Sequence, residues 1–233
     1  MPINEIIRKR KSVRKYEPAK LSADVLETVN AQFKKIKPLY PEINYSIEIV
    51  NKTKGIFNVK APQYLIFGSE DKEGALENIG FIGQQLDLFF SESGIGACWL
   101  GAAKPQDKEA SALPHVISMS FGTPAGPVYR SLSEFKRKSL SDISEGNDPR
   151  LEAARLAPSA VNAQNWYFVS KNGKIHCYRK NSKSLLRAIY DKLHCIDIGI
   201  AICHIAAESD QFSFIKETDA PERNGFIYSG TVV

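Results

Sequence analysis

The chain has 233 residues, of which 43% are hydrophobic and 24% charged, and 31 Lys and Arg against 26 Asp and Glu give a formal net charge of +5. This is the composition of an ordinary globular protein with a sizeable core, in one large domain or two small ones. Because charged residues stand near the start, we expect no secretory signal, and the longest apolar stretch, residues 198–207, is too short to span a bilayer.

The first half of the chain alternates helix and strand signals. Residues 22–36 carry apolar side chains at helical spacing, with Ser22 as the expected cap. Alternation predicts strands at residues 45–50 and 64–67. A long amphipathic helix is expected over residues 74–93, followed by a short apolar segment at 97–100 and a strand at 115–121.

The second half repeats this order after a stretch rich in Pro, Gly, Ser and charge. Asp148 is expected to cap a short helix that begins at Pro149 and runs to Leu156. Asn172-Gly173 is a strong turn signal between two predicted strands. The strands are expected at 166–169 and 175–178, an amphipathic helix over 196–208, and strand-like segments at 226–228 and 231–233.

Both long helices open with similar residues, since Asn78-Ile79-Gly80 resembles Asp197-Ile198-Gly199. Together with the matching order of elements, this predicts an internal duplication. We expect a first half over residues 1–130, a crossing segment over 131–147 and a second half over 148–233. Such a chain buries the faces that a homodimer would bury between its subunits.

Cysteine usage indicates a reducing environment. The four cysteines have no Cys-x-x-Cys spacing and no neighbouring His pair, so we expect reduced, mostly buried thiols, no metal site and a cytoplasmic protein. The four histidines are interpreted as structural.

Six of the eight residues at positions 8–15 are basic. The Arg10 and Arg14 guanidinium groups and the Ser12 hydroxyl can turn toward one phosphate dianion. A solvated N-terminal arm and a nucleic-acid patch are the alternatives. The excess positive charge is about the size of this cluster, which suits a small phosphate-bearing molecule at least as well as a polynucleotide.

Three further segments bear on chemistry. Residues 156–166 hold small residues and side-chain amides, which suit the face and edge of a flat heterocycle or, alternatively, an ordinary turn-rich loop. Gly94 and Gly96 follow the predicted long helix and precede residues 99–101. They permit tight backbone conformations or simply end the helix. Residues 136–138 are all basic and either offer a further contact to an anion or form a solvated charge run.

Together these four segments resemble the nitroreductase family of flavoprotein oxidoreductases over nearly the whole chain. The basic cluster matches the family's Arg-x-Ser-x-Arg-x-aromatic pattern, residues 157–166 its Pro-Ser loop, residues 94–101 its glycine and Trp-Leu-Gly motif, and residues 137–138 its late Arg/Lys pair. The resemblance implies an α+β, nitroreductase-like fold with antiparallel-rich central sheets flanked by helices. Because the Pro-Ser loop stands only in the second half, one chain resembles a family dimer.

The resemblance implies one complete FMN site per chain, with the phosphate motif from one half and the Pro-Ser loop from the other. The cofactor-binding residues it implies are Arg10, Lys11, Ser12, Arg14, Trp99, Leu100, Gly101, Arg137, Lys138, Pro158, Ser159, Ala160 and Asn162. Asn165 replaces the loop's usual Pro, and residues 101–105 replace the Glu-Gly pair that usually follows the Trp motif.

The function implied is an FMN-dependent oxidoreductase that takes a hydride from NADH or NADPH and reduces nitroaromatics, quinones or similar small acceptors by a ping-pong mechanism. The flavin carries the chemistry, so no catalytic acid or base is expected from the protein. The expected partner is a small-molecule acceptor, with no nucleic acid and no membrane. A monomer is expected and a homodimer stays open. The alternatives are a flavin carrier or sensor, a specialised flavin reaction, and a nucleic-acid-binding domain.

Overall fold

A computed structural model describes residues 1–55, 59–107, 111–182 and 187–233. Its helices are α1 (Ile3–Ile7), α2 (Ala23–Phe33), α3 (Ala75–Glu92), α4 (Leu140–Ile143), α5 (Leu151–Leu156) and α6 (Arg187–Ala207). Its strands are β1 (Tyr45–Val50), β2 (Thr53–Lys54), β3 (Gln63–Ser69), β4 (Gly96–Leu100), β5 (Lys104–Pro105), β6 (His115–Gly122), β7 (Ser144–Glu145), β8 (Trp166–Lys171), β9 (Lys174–Lys180), β10 (Phe214–Ile215) and β11 (Phe226–Val232).

Two antiparallel-rich sheets form the body of the molecule, and they have the same strand order. The first sheet is ordered β1-β3-β6-β4, and the second contains β8-β9-β11-β10 in the corresponding positions. Along the chain, each sheet is built from a pair of strands, a long helix, an edge strand and an inner strand. These are β1, β3, α3, β4 and β6 in the first sheet and β8, β9, α6, β10 and β11 in the second. The second sheet adds β7, which pairs parallel to β8. The fold is therefore mixed helix and antiparallel sheet with an internal repeat, as predicted.

Most of the predicted elements are confirmed, and the differences lie at their ends. Helix α2 ends at Phe33, before the predicted limit of 36. Helix α5 begins at Leu151, because the Asp148 carboxylate accepts a hydrogen bond from the Arg150 amide and holds the preceding residues in a turn. The apolar segment after α3 is strand β4.

Two elements of the second half also differ from prediction. Helix α6 already includes Arg187, well before the predicted start at residue 196, because Ile189 and Leu193 continue the apolar spacing of Ile196 across the charged Asp191 and Lys192. The C-terminal segments form one strand, with an irregular register between Tyr228 and Gly230. The Asn172-Gly173 hairpin is confirmed, with both residues at positive φ, 53° and 76°.

The two halves are joined by a close crossing of α3 and α6. A Cβ on Gly80 would collide with the carbonyl oxygen of Ile196, and a Cβ on Gly199 would collide with that of Glu77. The contact is reciprocal, each glycine receiving the backbone of the other helix. One hydrophobic core continues across the crossing and includes residues of both halves, such as Ile82 of α3.

The cysteines at positions 98, 177, 195 and 203 are buried and unbridged, as predicted. None of the helices in the described part of the chain has the length and hydropathy needed to span a bilayer. In the same residues, no three His, Cys, Asp or Glu side chains come together as a metal site.

The helix crossing yields a stability prediction. Gly199→Ala should lower the free energy of unfolding by about 1–3 kcal/mol, because the added methyl group meets backbone that cannot move aside cheaply. Urea denaturation measures the change. Gly126→Ala is the control, since a Cβ there meets nothing within 4 Å, and it should change stability by less than about 0.5 kcal/mol. Equal stability of the two variants would contradict the close crossing.

Candidate cofactor site

The basic cluster is an ordered part of the fold. The Val13 amide donates to the Ala97 carbonyl of β4 at 2.9 Å. On the other side, the Arg130 amide donates to the Lys9 carbonyl at 2.9 Å. The Tyr16 hydroxyl closes the segment by donating to the Val13 carbonyl at 2.7 Å. Pinned along both sides, this segment is not the solvated arm considered as an alternative.

Two adjoining cavities lie between the halves, one mainly apolar and one cationic. The apolar cavity, of about 440 Å³, is lined chiefly by Trp99, Leu100, Gly101, Pro158, Ser159, Ala160, Leu193, Ile196, Asp197 and Ile200. The cationic cavity, of about 520 Å³, is lined by Lys11, Arg130, Glu134, Lys136, Arg137 and Asn162 together with the residues that both cavities have in common. Those common residues are Ser12, Arg14, Pro158, Ser159 and Val161. The cavities therefore form one cleft, with a volume typical of a small-molecule site.

The apolar cavity has a rigid wall at the end of β4. The Trp99 ring stacks on Phe67 with 5.6 Å between ring centroids. Its indole Nε1 donates to Gln84 Oε1 at 3.1 Å. A side chain on Gly83 of α3 would collide with the same indole. Trp99 is thus held on three sides, and its position does not depend on a ligand.

The cationic cavity concentrates positive charge without a matching set of carboxylates. Burial, followed by the charges of Arg130 and Arg10, lowers the pKa of Arg137 to about 9. Burial, followed by Arg10, lowers the pKa of Arg130 to about 10. Both guanidinium groups stay protonated at neutral pH. Arg137 Nε is also buried with no hydrogen-bond partner among the described residues. An anion placed here would relieve both costs.

Arg10 lies behind the cleft and lines neither cavity. Its side chain is fully buried, with Nε 2.8 Å from Asp87 Oδ2 in an ion pair. Its Nη2 donates to Ser12 Oγ at 3.0 Å. A ligand in the cleft would therefore meet the Ser12 hydroxyl, whose position Arg10 fixes.

The Arg10–Asp87 pair belongs to a buried network that also holds Trp99. Gln84 Nε2 donates to Asp87 Oδ2 at 2.9 Å and lies 3.0 Å from His204 Nε2. His204 Nδ1 lies 2.9 Å from the Ala153 carbonyl, which assigns the proton to Nδ1. Burial, and then Arg10, lowers the pKa of His204 to about 3, so the ring is neutral. The network therefore fixes Trp99 through Gln84 and the Ser12 hydroxyl through Arg10.

The side-chain amides of Asn162 and Gln164 tie the Pro-Ser loop to residues 136–138, which lie behind it. Asn162 Oδ1 accepts from Arg137 Nη1, and Asn162 Nδ2 donates to the Lys136 carbonyl at 2.7 Å. Gln164 Oε1 accepts from the Lys138 amide at 2.8 Å. Lys138 Nζ in turn donates to the Gln164 carbonyl at 3.1 Å. Lys138 therefore supports the loop from behind and does not line the cleft, whereas Asn162 does.

The same loop holds strained backbone at the cleft. Val161, Asn162 and Gln164 have φ of 47°, 58° and 50°. Positive φ is rare for a β-branched residue, and Val161 is also 94% exposed. Such conformations persist where the surroundings over-determine them, which is frequent at functional sites.

Asp197 of α6 anchors the loop from the apolar side. Its carboxylate accepts from the Ala160 amide at 2.9 and 3.1 Å, and the Ser159 hydroxyl accepts from the Gln164 amide at 2.9 Å. Burial raises the pKa of Asp197 to about 7. Asn165, which replaces the family's Pro, donates to His194 Nε2 of α6 at 2.7 Å and adds another tie.

The internal repeat relates this cleft to a second position, which is filled. There the loop after α2 carries Tyr40, and β10 takes the place of β4. Tyr40 packs edge-on against Phe214, with ring centroids 5.9 Å apart. Phe81 stacks on Phe212 nearby at 5.5 Å. Aromatic side chains thus stand where the first position has a cavity wall.

The structure brings together eleven of the thirteen residues expected at the cofactor, and Arg10 and Lys138 are the exceptions. Arg130 and Asp197 line the cleft and were not anticipated. No sequence motif marks Arg130. It lies at the site because its backbone amide donates to the Lys9 carbonyl of the basic cluster at residues 8–15. Asp197 could have been identified as a loop-holding residue from the internal repeat, since its counterpart Asn78 lies near the start of α3.

The fold and the two-sided cleft define a nitroreductase-like protein. The chain belongs to the family described as "Putative TM nitroreductase", whose model matches residues 2–209. Among solved structures, it is similar to a nitroreductase, also named putative, from Thermotoga maritima, with a TM-score of 0.69 and 21% identity over 100% of this chain and 92% of that one.

Shorter relatives cover only part of the chain. A nitroreductase family protein from Clostridium novyi NT aligns with 58% of this chain and 92% of its own, with 16% identity and a TM-score of 0.45. An FMN-dependent nitroreductase from Clostridium difficile R20291 aligns with 59% of this chain and 98% of its own, with 15% identity and a TM-score of 0.43. No curated protein matches the chain significantly.

The buried position of Arg10 leads to a prediction that separates support from ligand contact. Arg10→Met should lower the free energy of unfolding by about 3–5 kcal/mol, because it leaves the Asp87 carboxylate buried without its cation. The double variant with Asp87→Leu should recover most of that loss. Denaturant titration of the three proteins measures both. A stable Arg10→Met protein would contradict the supporting role.

Proposed function

We propose that the chain is an FMN-dependent oxidoreductase with one cofactor site in the cleft between its halves. The observation that carries the proposal is the continuity of the two cavities through Ser12, Arg14, Pro158, Ser159 and Val161. A mainly apolar space that adjoins a cationic one matches an aromatic ring system joined to a phosphate. The partnerless Nε of Arg137 at the cationic end supports the fit.

The phosphate would be held by Lys11, Ser12, Arg14 and Arg137. Charge-assisted hydrogen bonds of this kind contribute about 1.5–3 kcal/mol each. Arg10 is proposed to act through Ser12, whose hydroxyl it holds at 3.0 Å. Arg130 adds positive potential from beside Arg137 without needing a direct contact.

The ring would lie in the apolar cavity, with Trp99, Leu100 and Gly101 on one wall and Pro158, Ser159 and Ala160 on the other. These walls exclude water and fix the orientation of a planar ligand. When bound, FMN supplies the redox chemistry, accepting a hydride from NADH or NADPH and returning two electrons to a nitroaromatic, quinone or similar small acceptor. The protein contributes no acid or base to this scheme.

The stoichiometry and reactivity of bound flavin form the first test. We expect about one FMN per chain after reconstitution, because Tyr40 and Phe214 fill the related position. The visible absorbance of the bound flavin should bleach under anaerobic NADH or NADPH and return when a quinone or nitroaromatic is added. Two FMN per chain would contradict the single site.

The same spectra decide between enzyme and carrier. Flavin that binds tightly but is reduced by neither nicotinamide would identify a flavin-binding protein without turnover. A colourless protein with salt-sensitive affinity for DNA or RNA would instead support the nucleic-acid alternative.

A second test concerns the phosphate contact. Arg14→Ala should weaken FMN binding by about 10- to 100-fold and riboflavin binding by less than about threefold, because only FMN carries the phosphate. Fluorescence titration of the apoprotein measures both affinities. Lys15→Ala is the matched control, since it removes a neighbouring exposed charge that lines neither cavity of the cleft. Equal losses for FMN and riboflavin in Arg14→Ala would show that Arg14 does not contact phosphate.

A further inference from the structure

One acidic side chain stands in the wall of the apolar cavity. Asp197 is 3% exposed, and among the described residues that line this cavity it is the only carboxylate and Arg14 the only cation. Both of its oxygens accept from the Ala160 amide. Burying an ionisable carboxyl is costly, and a neutral amide side chain can accept the same hydrogen bond at lower cost. The carboxylate therefore needs an explanation beyond loop support.

The internal repeat supplies the comparison. Asn78 occupies the equivalent position on α3 and accepts from the Leu39 amide at 2.8 Å and the Tyr40 amide at 3.1 Å. These amides belong to the loop that corresponds to the Pro-Ser loop. An asparagine thus holds the loop that packs on aromatic side chains, and an aspartate holds the loop that borders the cavity.

We propose that Asp197 is a positioning residue of the flavin loop whose negative charge also disfavours reduced FMN relative to oxidised FMN. The inference rests on the proposed FMN site. Two electrons added to a ring in an apolar cavity are repelled by a carboxylate in its wall, and the weakly polar surroundings screen this repulsion poorly. Arg14 also lines the cationic cavity, and only burial and the Ala160 amide act on the pKa of Asp197, without a contribution from the Arg14 charge.

Three variants of the full chain separate support from charge. Asp197→Asn keeps an acceptor for the Ala160 amide and removes the charge. Asp197→Ala removes both. Asn78→Ala removes the equivalent hydrogen bonds from the other half and serves as the control. Each protein is titrated with FMN, and the flavin midpoint potential is measured against reference dyes at pH 8.5, where Asp197, with its pKa of about 7, is ionised.

We expect Asp197→Asn to bind oxidised FMN within about threefold of wild type and to raise the relative affinity for reduced FMN about tenfold. For a two-electron couple this is a shift of about +30 mV. Asp197→Ala should weaken binding of oxidised FMN about tenfold. In the cofactor-free protein, it should also speed hydrogen exchange at the Ala160 amide. Asn78→Ala should leave the affinity and the potential unchanged.

The outcomes are distinguishable. Wild type that takes up no FMN would overturn the proposed function and, with it, this inference. Wild type that binds FMN, with an unchanged potential in Asp197→Asn, would overturn the role of the charge alone. Unchanged FMN affinity and unchanged Ala160 exchange in Asp197→Ala would overturn the positioning role.

Discussion

The close crossing of α3 and α6 is the constraint on which the rest of the structure depends. Gly80 and Gly199 let the two helices meet backbone to backbone, and each helix holds one part of the cleft. Helix α3 contributes Gln84 and Asp87, which hold Trp99 and Arg10. Helix α6 contributes Asp197, which holds the Pro-Ser loop. A shift of one helix against the other would therefore change how the two walls of the cleft face each other.

The repeat is symmetric in its strands and asymmetric in its side chains. Four strands of each sheet have the same order, and both long helices hold a loop through equivalent residues, Asn78 of α3 and Asp197 of α6. One loop carries small residues and faces a cavity, whereas the other carries Tyr40 and faces Phe214. The packing of Tyr40 on Phe214 occupies one position, and the other position is an open cavity. A single chain can therefore combine a packed core with one ligand-sized cleft.

Local pattern was enough to predict most strands and the long helix α3, because one face of each is apolar and the turns carry their own signals. The early part of α6 was missed although Ile189 and Leu193 continue the apolar spacing of Ile196, because the charged Asp191 and Lys192 interrupt the apolar run there. The resemblance to the nitroreductase family implied that the basic cluster and the Pro-Ser loop meet, and both line the cleft. It could not indicate that Arg10 would turn inward, because the ion pair with Asp87 depends on how α3 packs.

The unanticipated members of the site have a common cause. Arg130 lines the cleft because its backbone amide donates to the Lys9 carbonyl of the basic cluster, and no sequence pattern marks this hydrogen bond. The positive φ of Val161 is set by the surrounding ties of Asn162 and Gln164, and a β-branched residue gives no hint of it. These features arise from tertiary contacts, which local propensity does not encode.

The electrostatics of the cationic end follow from this packing. Arg130 stacks over Phe135 at 3.5 Å, and Arg137 lies 5.5 Å from the same ring. An aromatic face between two guanidinium groups offsets part of their repulsion. It cannot satisfy the buried Nε of Arg137, and burial still lowers the pKa values of both residues. A dianion would turn the repulsion among these cations into attraction. This gain in electrostatic energy is the physical reason for proposing that a phosphate binds at this end of the cleft.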